Sequence, residues 1–199
     1  MEPTAERGRT ARLEGGIAVD RCRSIAFLDR DDTISRDYPD GEWVGKREPE
    51  LLAGAPEAMA RLQRLGYELI LVTNQYIIGE GFITQQDFER FHQRLLEKLE
   101  AFGVSVLDTF FCPHSRGSGC GCCKPEPGLI LQALAKYPDI DLSRSFLAGD
   151  SWRDRELARR FSLEFYGVNM QESDYGQPVA SLWEAAECVA RKQEADHES

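Results

Sequence analysis

The chain has 199 residues, 42% of them hydrophobic, which is enough to bury one core as a single domain. Its 34 acidic residues outnumber the 24 basic ones, and the net charge of -10 disfavours binding to nucleic acid or to an anionic membrane. No apolar run is long enough to span a membrane and residues 1–16 lack the apolar core of a secretory signal, so we expect a cytoplasmic protein without membrane partners.

The first strong pattern is a short apolar run that ends in carboxylates. Residues 1–23, which precede it, are polar and mixed in charge, and this predicts a loosely ordered lead-in. Residues 24–35 read SIAFLDRDDTIS, so a predicted strand stops at Asp29, Asp31 and Asp32. Ligands of open α/β sheets bind at the carboxyl ends of the strands, which is where these side chains would lie.

Carboxylates after a strand have other common explanations. Asp often serves there as a turn residue that accepts hydrogen bonds from the backbone ahead of it. A calcium-binding loop is a poorer explanation, because its sixth position needs Gly for a sharp turn and this chain has Ile34 there. Polar residues at the ends of later strands decide between these explanations.

Strands and helices alternate along the rest of the chain, which predicts a doubly wound, mostly parallel α/β sheet of the Rossmann-like kind. A long loop at 35–52 separates the first strand from the first helix. Sequence patterns predict strands at 68–72, 106–111, 145–148 and 164–168 and helices at 56–65, 85–102, 129–137, 152–161 and 179–193. We expect one domain over 24–193 and a solvated tail at 194–199.

Polar residues at or just beyond the strand ends are those that a phosphoryl-transfer site requires: Asp29, Asp31, Thr73, Asn74, Lys124, Asp150 and Asp154. A carboxylate can attack phosphorus and form an aspartyl-phosphate, and we assign that role to Asp29. Because a carboxylate repels phosphate, a hard divalent cation with oxygen ligands is needed, and magnesium fits best. We expect magnesium at Asp29, Asp31 and Asp150. Asp154 either binds it through water or orients Lys124.

The remaining groups are assigned to proton transfer and to the phosphate. Asp31 is placed to protonate the leaving oxygen and later to take a proton from water, a role typically worth about 10²- to 10⁴-fold in rate. Thr73 could donate hydrogen bonds to phosphate oxygens, and Lys124 could neutralise charge that develops in the transition state. The residues expected to contact phosphate or substrate are Thr73, Asn74, Lys124, Cys123 and Arg30.

These motifs resemble those of the haloacid dehalogenase-like superfamily of phosphatases. Residues 27–33 (FLDRDDT) resemble its first motif, and residues 72–75 (VTNQ) resemble its second. The residues that match the third and fourth motifs are Lys124, Gly149, Asp150 and Asp154. The resemblance covers about residues 25–168, and it implies an aspartyl-phosphate mechanism that depends on magnesium.

Four of the six cysteines lie between positions 112 and 123 together with a histidine, and this crowding favours a metal site over disulfides. The loop resembles that of the zinc-loop branch of the superfamily, which contains heptose 1,7-bisphosphate and histidinol-phosphate phosphatases. Three thiolates and one imidazole suit a closed, structural zinc site. The expected ligands are Cys112, His114, Cys120 and Cys122, with Cys123 as an alternative to Cys122.

Three residues depart from the pattern. Asp32 stands where the first motif usually has Gly, and we expect it to point outward as a turn residue. Glu80 and Cys123 stand where the heptose branch typically has Arg, so positive charge is lost at the substrate entrance. A bisphosphate needs cations for its second phosphate. Those that could compensate are Arg30, Lys46, Arg47 and Arg153.

The intervals between the motifs leave no room for a large cap domain, so we expect loop walls at 37–47, 76–82 and 115–123. Such an entrance suits a small sugar or polyol phosphate. We predict a monomeric, magnesium-dependent phosphomonoesterase most similar to the heptose 1,7-bisphosphate 7-phosphatases. The alternatives are a histidinol-phosphate phosphatase or a catalytically silent protein that binds zinc and magnesium on the same fold. A polynucleotide end phosphatase is disfavoured by the acidic balance.

Overall fold

The computed structural model of the protein describes residues 22–171 and 174–197. Within them, the strands are β1 (Ile25–Leu28), β2 (Glu68–Asn74), β3 (Val106–Cys112), β4 (Phe146–Gly149), β5 (Glu164–Val168) and β6 (Gln177–Val179). They form one sheet in the order β3-β2-β1-β4-β5-β6, and all neighbouring strands are parallel. The predicted doubly wound α/β class is therefore confirmed.

Helices cover both faces of this sheet. They are α1 (Ala55–Arg64), α2 (Tyr76–Gly79), α3 (Gln85–Glu100), α4 (Gly128–Lys136), α5 (Trp152–Arg160) and α6 (Leu182–His197). Reciprocal hydrogen bonds between Thr84 and Asp87 cap α3, and those between Ser151 and Asp154 cap α5. These caps satisfy backbone N–H groups that have no partner inside the helix, so they fix where each helix begins.

The central strand β1 alternates its side chains between two cores. Ala26 and Leu28 pack with residues of α1, α3 and α6, whereas Ile25 and Phe27 pack with residues of α4 and α5. All four side chains are fully buried. A strand with helices on both faces has no solvent-facing side, which is why β1 is a continuous apolar run.

The strand order places the switch point of the sheet between β1 and β4. Asp29 directly follows β1, Asn74 is the last residue of β2, and Asp150 directly follows β4. Because these strands are parallel, their carboxyl ends meet at one edge, which is where doubly wound sheets bind ligands.

Several regions differ from the predicted elements, among them the helix α2, which lies in the predicted loop wall 76–82. Gln177–Val179 forms β6 beside β5, in place of the start of the last helix. It contains Pro178, which cannot donate to a strand ladder and is tolerated only at a sheet edge or strand start. Residues 194–197, predicted as part of a solvated tail, continue α6, and 198–199 lie outside the described residues. The predicted loop 35–52 contains a short 3₁₀ helix, Asp40–Gly45.

The predicted lead-in lies outside the described residues up to position 21. Arg23, which is described, bonds to Glu68 at 2.8 Å and to Asp139 at 2.7 Å. Between β1 and β3 the described chain forms loops, the short 3₁₀ helix, the strand β2 and the helices α1 to α3, so no cap domain is inserted there. None of the helices in the described ranges has the length and apolar character of a membrane span.

Candidate active site

Lys124 and Asp29 form the centre of the site. The Nζ atom of Lys124 donates hydrogen bonds of 2.6 Å to Oδ1 of Asp29 and 2.6 Å to Oδ1 of Asp154. It donates a third, of 2.9 Å, to the carbonyl oxygen of Val72. Lys124 and Asp29 are only 3% and 6% exposed. Lys124 follows the cysteine-rich loop and Asp29 follows β1, so the fold joins residues 95 positions apart.

Burial and charge oppose each other at this pair. Burial raises the pKa of Asp29 well above its usual value, the Lys124 ammonium lowers it, and the charges of Asp154, Asp31 and Asp150 raise it again. Burial lowers the pKa of Lys124, but Asp154 and Asp29 outweigh burial and raise it overall. Lys124 is therefore held as a cation against one carboxylate oxygen of Asp29.

Asp150 and Asp154 approach Asp29 from the start of α5. One oxygen of each of the three carboxylates lies within 4.8 Å of the others, which makes a cluster that a cation could occupy. The pKa of Asp150 is raised to about 6, first by burial and then by the charge of Asp154, against the lowering effect of Lys124. Three carboxylates against one ammonium leave an excess of negative charge, and oxygen ligands are those that hard divalent cations prefer.

Asp154 is the most constrained carboxylate of the cluster. Its Oδ1 accepts from Lys124, and its Oδ2 accepts from the hydroxyl and the backbone N–H of Ser151. Gly149 permits this approach, because a Cβ there would lie 2.5 Å from Cγ of Asp154. Asp29 and Asp150 are therefore the carboxylates of the cluster with an oxygen that no other described side chain contacts by a hydrogen bond.

Asp31 is fixed by two neighbours. Nε and Nη2 of Arg30 donate hydrogen bonds of 2.8 Å to its two carboxylate oxygens, and Nε2 of Gln75 donates to Oδ2 at 2.7 Å. Such a bidentate contact fixes both the position and the plane of a carboxylate. It also holds the Asp31 carboxylate outside the cluster of three acids, although the sequence suggests Asp31 as a magnesium ligand.

Arg30, a substrate-binding candidate on sequence grounds, does not line the cavity. It is fully buried, and its guanidinium carbon lies 5.3–5.6 Å from the ring centroids of Phe88, Trp43 and Phe91. An arginine in this position cannot reach a substrate. The structure instead makes Arg30 the residue that positions Asp31, since the aromatic rings hold the guanidinium from behind.

Thr73 and Asn74 end β2 beside Lys124. The Oγ1 atom of Thr73 accepts a 3.1 Å hydrogen bond from Gln75. The Oδ1 atom of Asn74 accepts from the backbone N–H of Lys124 at 2.8 Å, and its Nδ2 donates to the Lys124 carbonyl oxygen at 3.1 Å. Asn74 is a phosphate-binding candidate on sequence grounds, but its amide group is engaged in holding the backbone of Lys124.

A cavity of about 620 Å³ opens onto these residues, a volume typical of small-molecule sites. Its lining includes Asp29, Asp31, Thr73, Asn74, Lys124, Asp150 and Cys123. Residues of all three predicted loop walls contribute, among them Trp43, Tyr76 and Ser118. Trp152 and Arg153, from the first turn of α5, also line it.

Arg116 links the three walls. Its guanidinium bonds to the carboxylate of Glu80 at 2.9 and 2.7 Å and to Oδ2 of Asp40 at 2.5 Å. The guanidinium carbon lies 4.1 Å from the centroid of the Tyr76 ring, and the Tyr76 hydroxyl donates to Asp40 at 2.9 Å. Glu80, which departs from the pattern of the branch, is thus matched by a cation on the facing loop.

Asp32 serves as a turn residue. Its φ angle is 53°, in the left-handed region that Gly adopts freely and that Asp tolerates better than most residues. Its side chain is exposed, and Oδ1 accepts a 2.8 Å hydrogen bond from the backbone N–H of Asp37. The backbone conformation accounts for the preference for Gly at this position of the motif.

A second cluster is formed by Cys112, His114, Cys120 and Cys122. Their closest donor atoms are separated by 3.2–3.5 Å. This is near the roughly 3.8 Å edge of a tetrahedron built on zinc–sulfur bonds of about 2.3 Å, so the donor set fits zinc. Cys123 lies outside the cluster: its sulfur is 3.7 Å from the Lys124 carbonyl oxygen, and the residue lines the cavity.

Several contacts in the site are missing from the sequence-based assignment. Gln75 and Ser151 each lie three residues beyond the end of a predicted strand, at 72 and at 148, and that position is a usable signal for both. Arg116 had no such signal, because its partners Glu80 and Asp40 lie 36 and 76 positions away and charge alone does not reveal pairing over that distance.

Comparisons with known proteins place the chain among phosphatases, although no protein-family model matches it. The D-glycero-alpha-D-manno-heptose-1,7-bisphosphate 7-phosphatase of Mycobacterium tuberculosis is 39% identical over 133 residues, which cover 66% of this chain and 70% of that protein. The D-glycero-beta-D-manno-heptose-1,7-bisphosphate 7-phosphatase of Helicobacter pylori is 41% identical over 129 residues, 64% of this chain and 72% of that protein. The two names differ in the anomer of the sugar.

A solved structure is similar over most of the chain. It is the D,D-heptose 1,7-bisphosphate phosphatase of B. bronchiseptica, in complex with magnesium and phosphate. The TM-score is 0.75 at 25% identity, and the match covers 85% of this chain and 99% of that one. The sheet and the helices on both of its faces are thus shared with a protein whose structure contains magnesium and phosphate.

Proposed function

This chain belongs to the D-glycero-manno-heptose-1,7-bisphosphate 7-phosphatase family of the haloacid dehalogenase-like superfamily, and we propose that it hydrolyses the 7-phosphate of a heptose 1,7-bisphosphate. The observation that carries the proposal is the buried Lys124 ammonium, which contacts Asp29 and Asp154 beside Asp150. This arrangement lies in a cavity of about 620 Å³, which suits a phosphorylated sugar better than a polymer.

The first step is the transfer of the phosphoryl group to Asp29. Lys124 engages Oδ1 of Asp29, which leaves Oδ2 to attack phosphorus. The new bond from Asp29 to phosphorus forms while the bond from phosphorus to the sugar oxygen breaks, and Asp31 gives its proton to that oxygen. The products of this step are the sugar alcohol group and an aspartyl-phosphate. Lys124 and the Thr73 hydroxyl stabilise the phosphoryl oxygens.

The second step returns the enzyme to its starting state. Asp31, now ionised, takes a proton from a water molecule, whose oxygen attacks phosphorus. The bond between phosphorus and Asp29 breaks, inorganic phosphate leaves, and the carboxylate of Asp29 is restored. Arg30 and Gln75 would hold Asp31 at a fixed place for both proton transfers, because they bond to its carboxylate oxygens.

Asp29 and Asp150 would hold magnesium, with Asp154 engaged by Lys124 and Ser151. When bound, the cation neutralises the crowded carboxylates and polarises the phosphoryl oxygens. Burial is the largest cause of the raised pKa values of Asp29 and Asp150, and Lys124 lowers both without outweighing it; a divalent cation would supply the further positive charge.

Zinc at Cys112, His114, Cys120 and Cys122 would have a structural role. These residues close a loop with five glycine or serine residues at positions 115–121 and little apolar packing of its own. Lys124 lies two residues beyond the last ligand, so a metal that orders the loop also places the ammonium. Cys123, directed away from the cluster, remains on the wall of the cavity.

The experiment that tests this function is a substrate panel with magnesium. It contains both anomers of D-glycero-D-manno-heptose 1,7-bisphosphate, histidinol phosphate and a 3′-phosphorylated oligonucleotide. We expect one heptose bisphosphate to have the highest kcat/KM. Asp29→Asn, which keeps the shape of the side chain, should lower kcat by about 10⁴-fold or more because it removes the nucleophile. Asp139→Asn, at a surface ion pair with Arg23, is the matched control.

Three outcomes would contradict the proposal in different ways. Preference for histidinol phosphate would leave the chemistry intact and overturn the substrate. Undiminished turnover by Asp29→Asn would remove Asp29 as the nucleophile. A folded protein that binds zinc and magnesium but hydrolyses none of the esters would be the catalytically silent alternative.

A further inference from the structure

Three cationic side chains line the cavity in the part of the chain that the structure describes: Lys124, Arg116 and Arg153. A heptose 1,7-bisphosphate brings two phosphates, and only one of them can lie at Asp29. The ammonium of Lys124 contacts Asp29 and Asp154 at 2.6 Å each, so its charge is engaged at the reacting centre. A cation for the second phosphate must therefore come from elsewhere on the cavity wall.

Arg116 is poorly suited to that role. It is already matched by two carboxylates, Glu80 at 2.7 Å and Asp40 at 2.5 Å. These acids accept hydrogen bonds from Nε and Nη2 of the guanidinium, and their charges would repel an approaching dianion. Arg116 therefore serves to join the loops of the wall rather than to bind an anion.

The other candidates suggested by the sequence lie away from the cavity. Arg30 is fully buried against Asp31. The Lys46 ammonium lies 3.7 Å from the centroid of the Tyr38 ring, and Arg47 pairs with Asp87 at 3.6 Å. None of these three cations is among the lining residues of the cavity.

Arg153 differs from all of these. It is exposed on the first turn of α5, and it makes no ion pair with a carboxylate within the described residues. Its guanidinium carbon lies 5.0 Å from the centroid of the Trp152 ring, and Trp152 is itself half exposed on the cavity wall. A guanidinium that rests on an aromatic ring keeps its N–H donors in its own plane, where they can meet phosphate oxygens.

Arg153 lines the same cavity as Asp29 and Lys124, so a substrate bound at the reacting centre lies in the space that this guanidinium borders.

We propose that Arg153, supported by Trp152, binds the phosphate of the substrate that is not hydrolysed, and so sets the preference for a bisphosphate over a monophosphate. The inference rests on the proposed function and adds a specificity-determining residue to it. The planar fork of the guanidinium can donate two parallel hydrogen bonds to a phosphate, which a lysine cannot reproduce.

The test compares heptose 1,7-bisphosphate with heptose 7-phosphate, which has the same scissile group and lacks the second phosphate. Arg153→Gln should raise KM for the bisphosphate by about 10- to 100-fold, the range that a hydrogen bond to a charged group supports. The KM ratio, defined as KM for heptose 7-phosphate divided by KM for the bisphosphate, should fall accordingly. The kcat for the bisphosphate should change less than its KM. Arg153→Lys should restore part of the ratio.

Two matched variants complete the test. Arg159→Gln removes another exposed arginine of α5, one that pairs with Glu156 and Asp174 and does not line the cavity, so the KM ratio should be unchanged. Arg116→Gln should leave the ratio closer to the wild-type value than Arg153→Gln does. An unchanged ratio in Arg153→Gln, or a larger loss in Arg116→Gln, overturns the inference. A wild-type protein that hydrolyses neither compound overturns the proposed function itself.

Discussion

Asn74 and Lys124 exchange hydrogen bonds in both directions. Oδ1 of Asn74 accepts from the Lys124 backbone N–H at 2.8 Å, and Nδ2 donates to the Lys124 carbonyl oxygen at 3.1 Å. The last residue of β2 therefore fixes the backbone from which the Lys124 side chain reaches Asp29. A side-chain amide thus fixes the backbone of Lys124, and the contacts of Nζ with Asp29, Asp154 and the Val72 carbonyl oxygen fix the ammonium.

We therefore expect Asn74→Ala to lower kcat by about 10- to 100-fold, because a misplacement of roughly 1 Å at a reacting centre has an effect of that size. Asn74→Asp keeps the acceptor and loses the donor, so it should recover part of kcat. The measurement is steady-state kinetics with the best substrate of the panel, beside thermal unfolding. A loss of stability without a loss of kcat would show that Asn74 has no positioning role.

The proton-transfer role of Asp31 predicts a dependence on the leaving group. Asp31→Asn should lower kcat on the sugar phosphate by about 10²- to 10⁴-fold, because an alkoxide leaves poorly without a proton. With para-nitrophenyl phosphate, whose leaving group is stable as an anion, the loss in the phosphoryl-transfer step should be much smaller. Burst kinetics on both esters separate that step from hydrolysis of the intermediate. Equal losses in that step on both esters would contradict the role.

The geometry of the cysteine cluster predicts which cysteines are needed to bind zinc. Cys112→Ser should lose zinc and lower Tm by about 10 °C, since the loss of a structural metal is among the most destabilising changes. Cys123→Ser should keep one zinc per chain because its sulfur lies outside the cluster. Cys22→Ser, at an exposed thiol, controls for the substitution itself. Elemental analysis and thermal unfolding measure both quantities. Full zinc content in Cys112→Ser would refute the ligand set.

The burial of His92 predicts that the free energy of unfolding depends on pH. Its Nε2 atom lies 2.9 Å from Oγ1 of Thr109, and its ring stacks on Phe88. Burial, with a further contribution from Arg30, lowers the pKa of His92 from 6.5 to about 4. The folded state then binds fewer protons than the unfolded state between these values. Its contribution to stability is complete above pH 6.5 and is lost as pH falls towards 4, by up to about 3 kcal/mol.

The measurement is urea unfolding of the wild type and of His92→Gln between pH 7.5 and 4.5. Carboxylates and the cysteine cluster titrate in both proteins, so the difference between the two curves isolates His92. We expect the free energy of unfolding of the wild type to fall more steeply with decreasing pH. Parallel curves would show that His92 is not held neutral by the fold.

The sequence predicts the sheet well because its strands are buried on both faces. Ile25 and Phe27 face one core and Ala26 and Leu28 the other, so β1 is a short continuous apolar run, which is typical of a parallel strand covered on both faces. β6 escapes prediction because it consists of Gln177–Val179 alone, and its pairing with β5 depends on the rest of the sheet. Short edge strands are set by their neighbours more than by their own residues.

For the site, the sequence predicts which residues lie at the ends of strands, but it does not predict the direction in which each side chain points. Asp29, Thr73 and Asp150 come together because parallel strands share a carboxyl edge. Arg30, one residue from Asp29, lies instead beneath the site, where three aromatic rings surround it. Those rings come from distant segments, so nothing in the local sequence indicates that Arg30 is buried.

The ion pairs of Arg116 with Glu80 and Asp40 also affect how the protein responds to ionic strength. Arg116 is exposed, and its bonds to Glu80 and Asp40 hold three loops together by charge. Exposed ion pairs weaken as dissolved salt screens them, whereas buried pairs such as Lys124 and Asp29 are screened much less. Concentrated salt would therefore loosen the loops that Arg116 joins at the cavity entrance, while the buried pair of Lys124 and Asp29 stays intact. The entrance and the reacting centre of one cavity would thus respond differently to ionic strength.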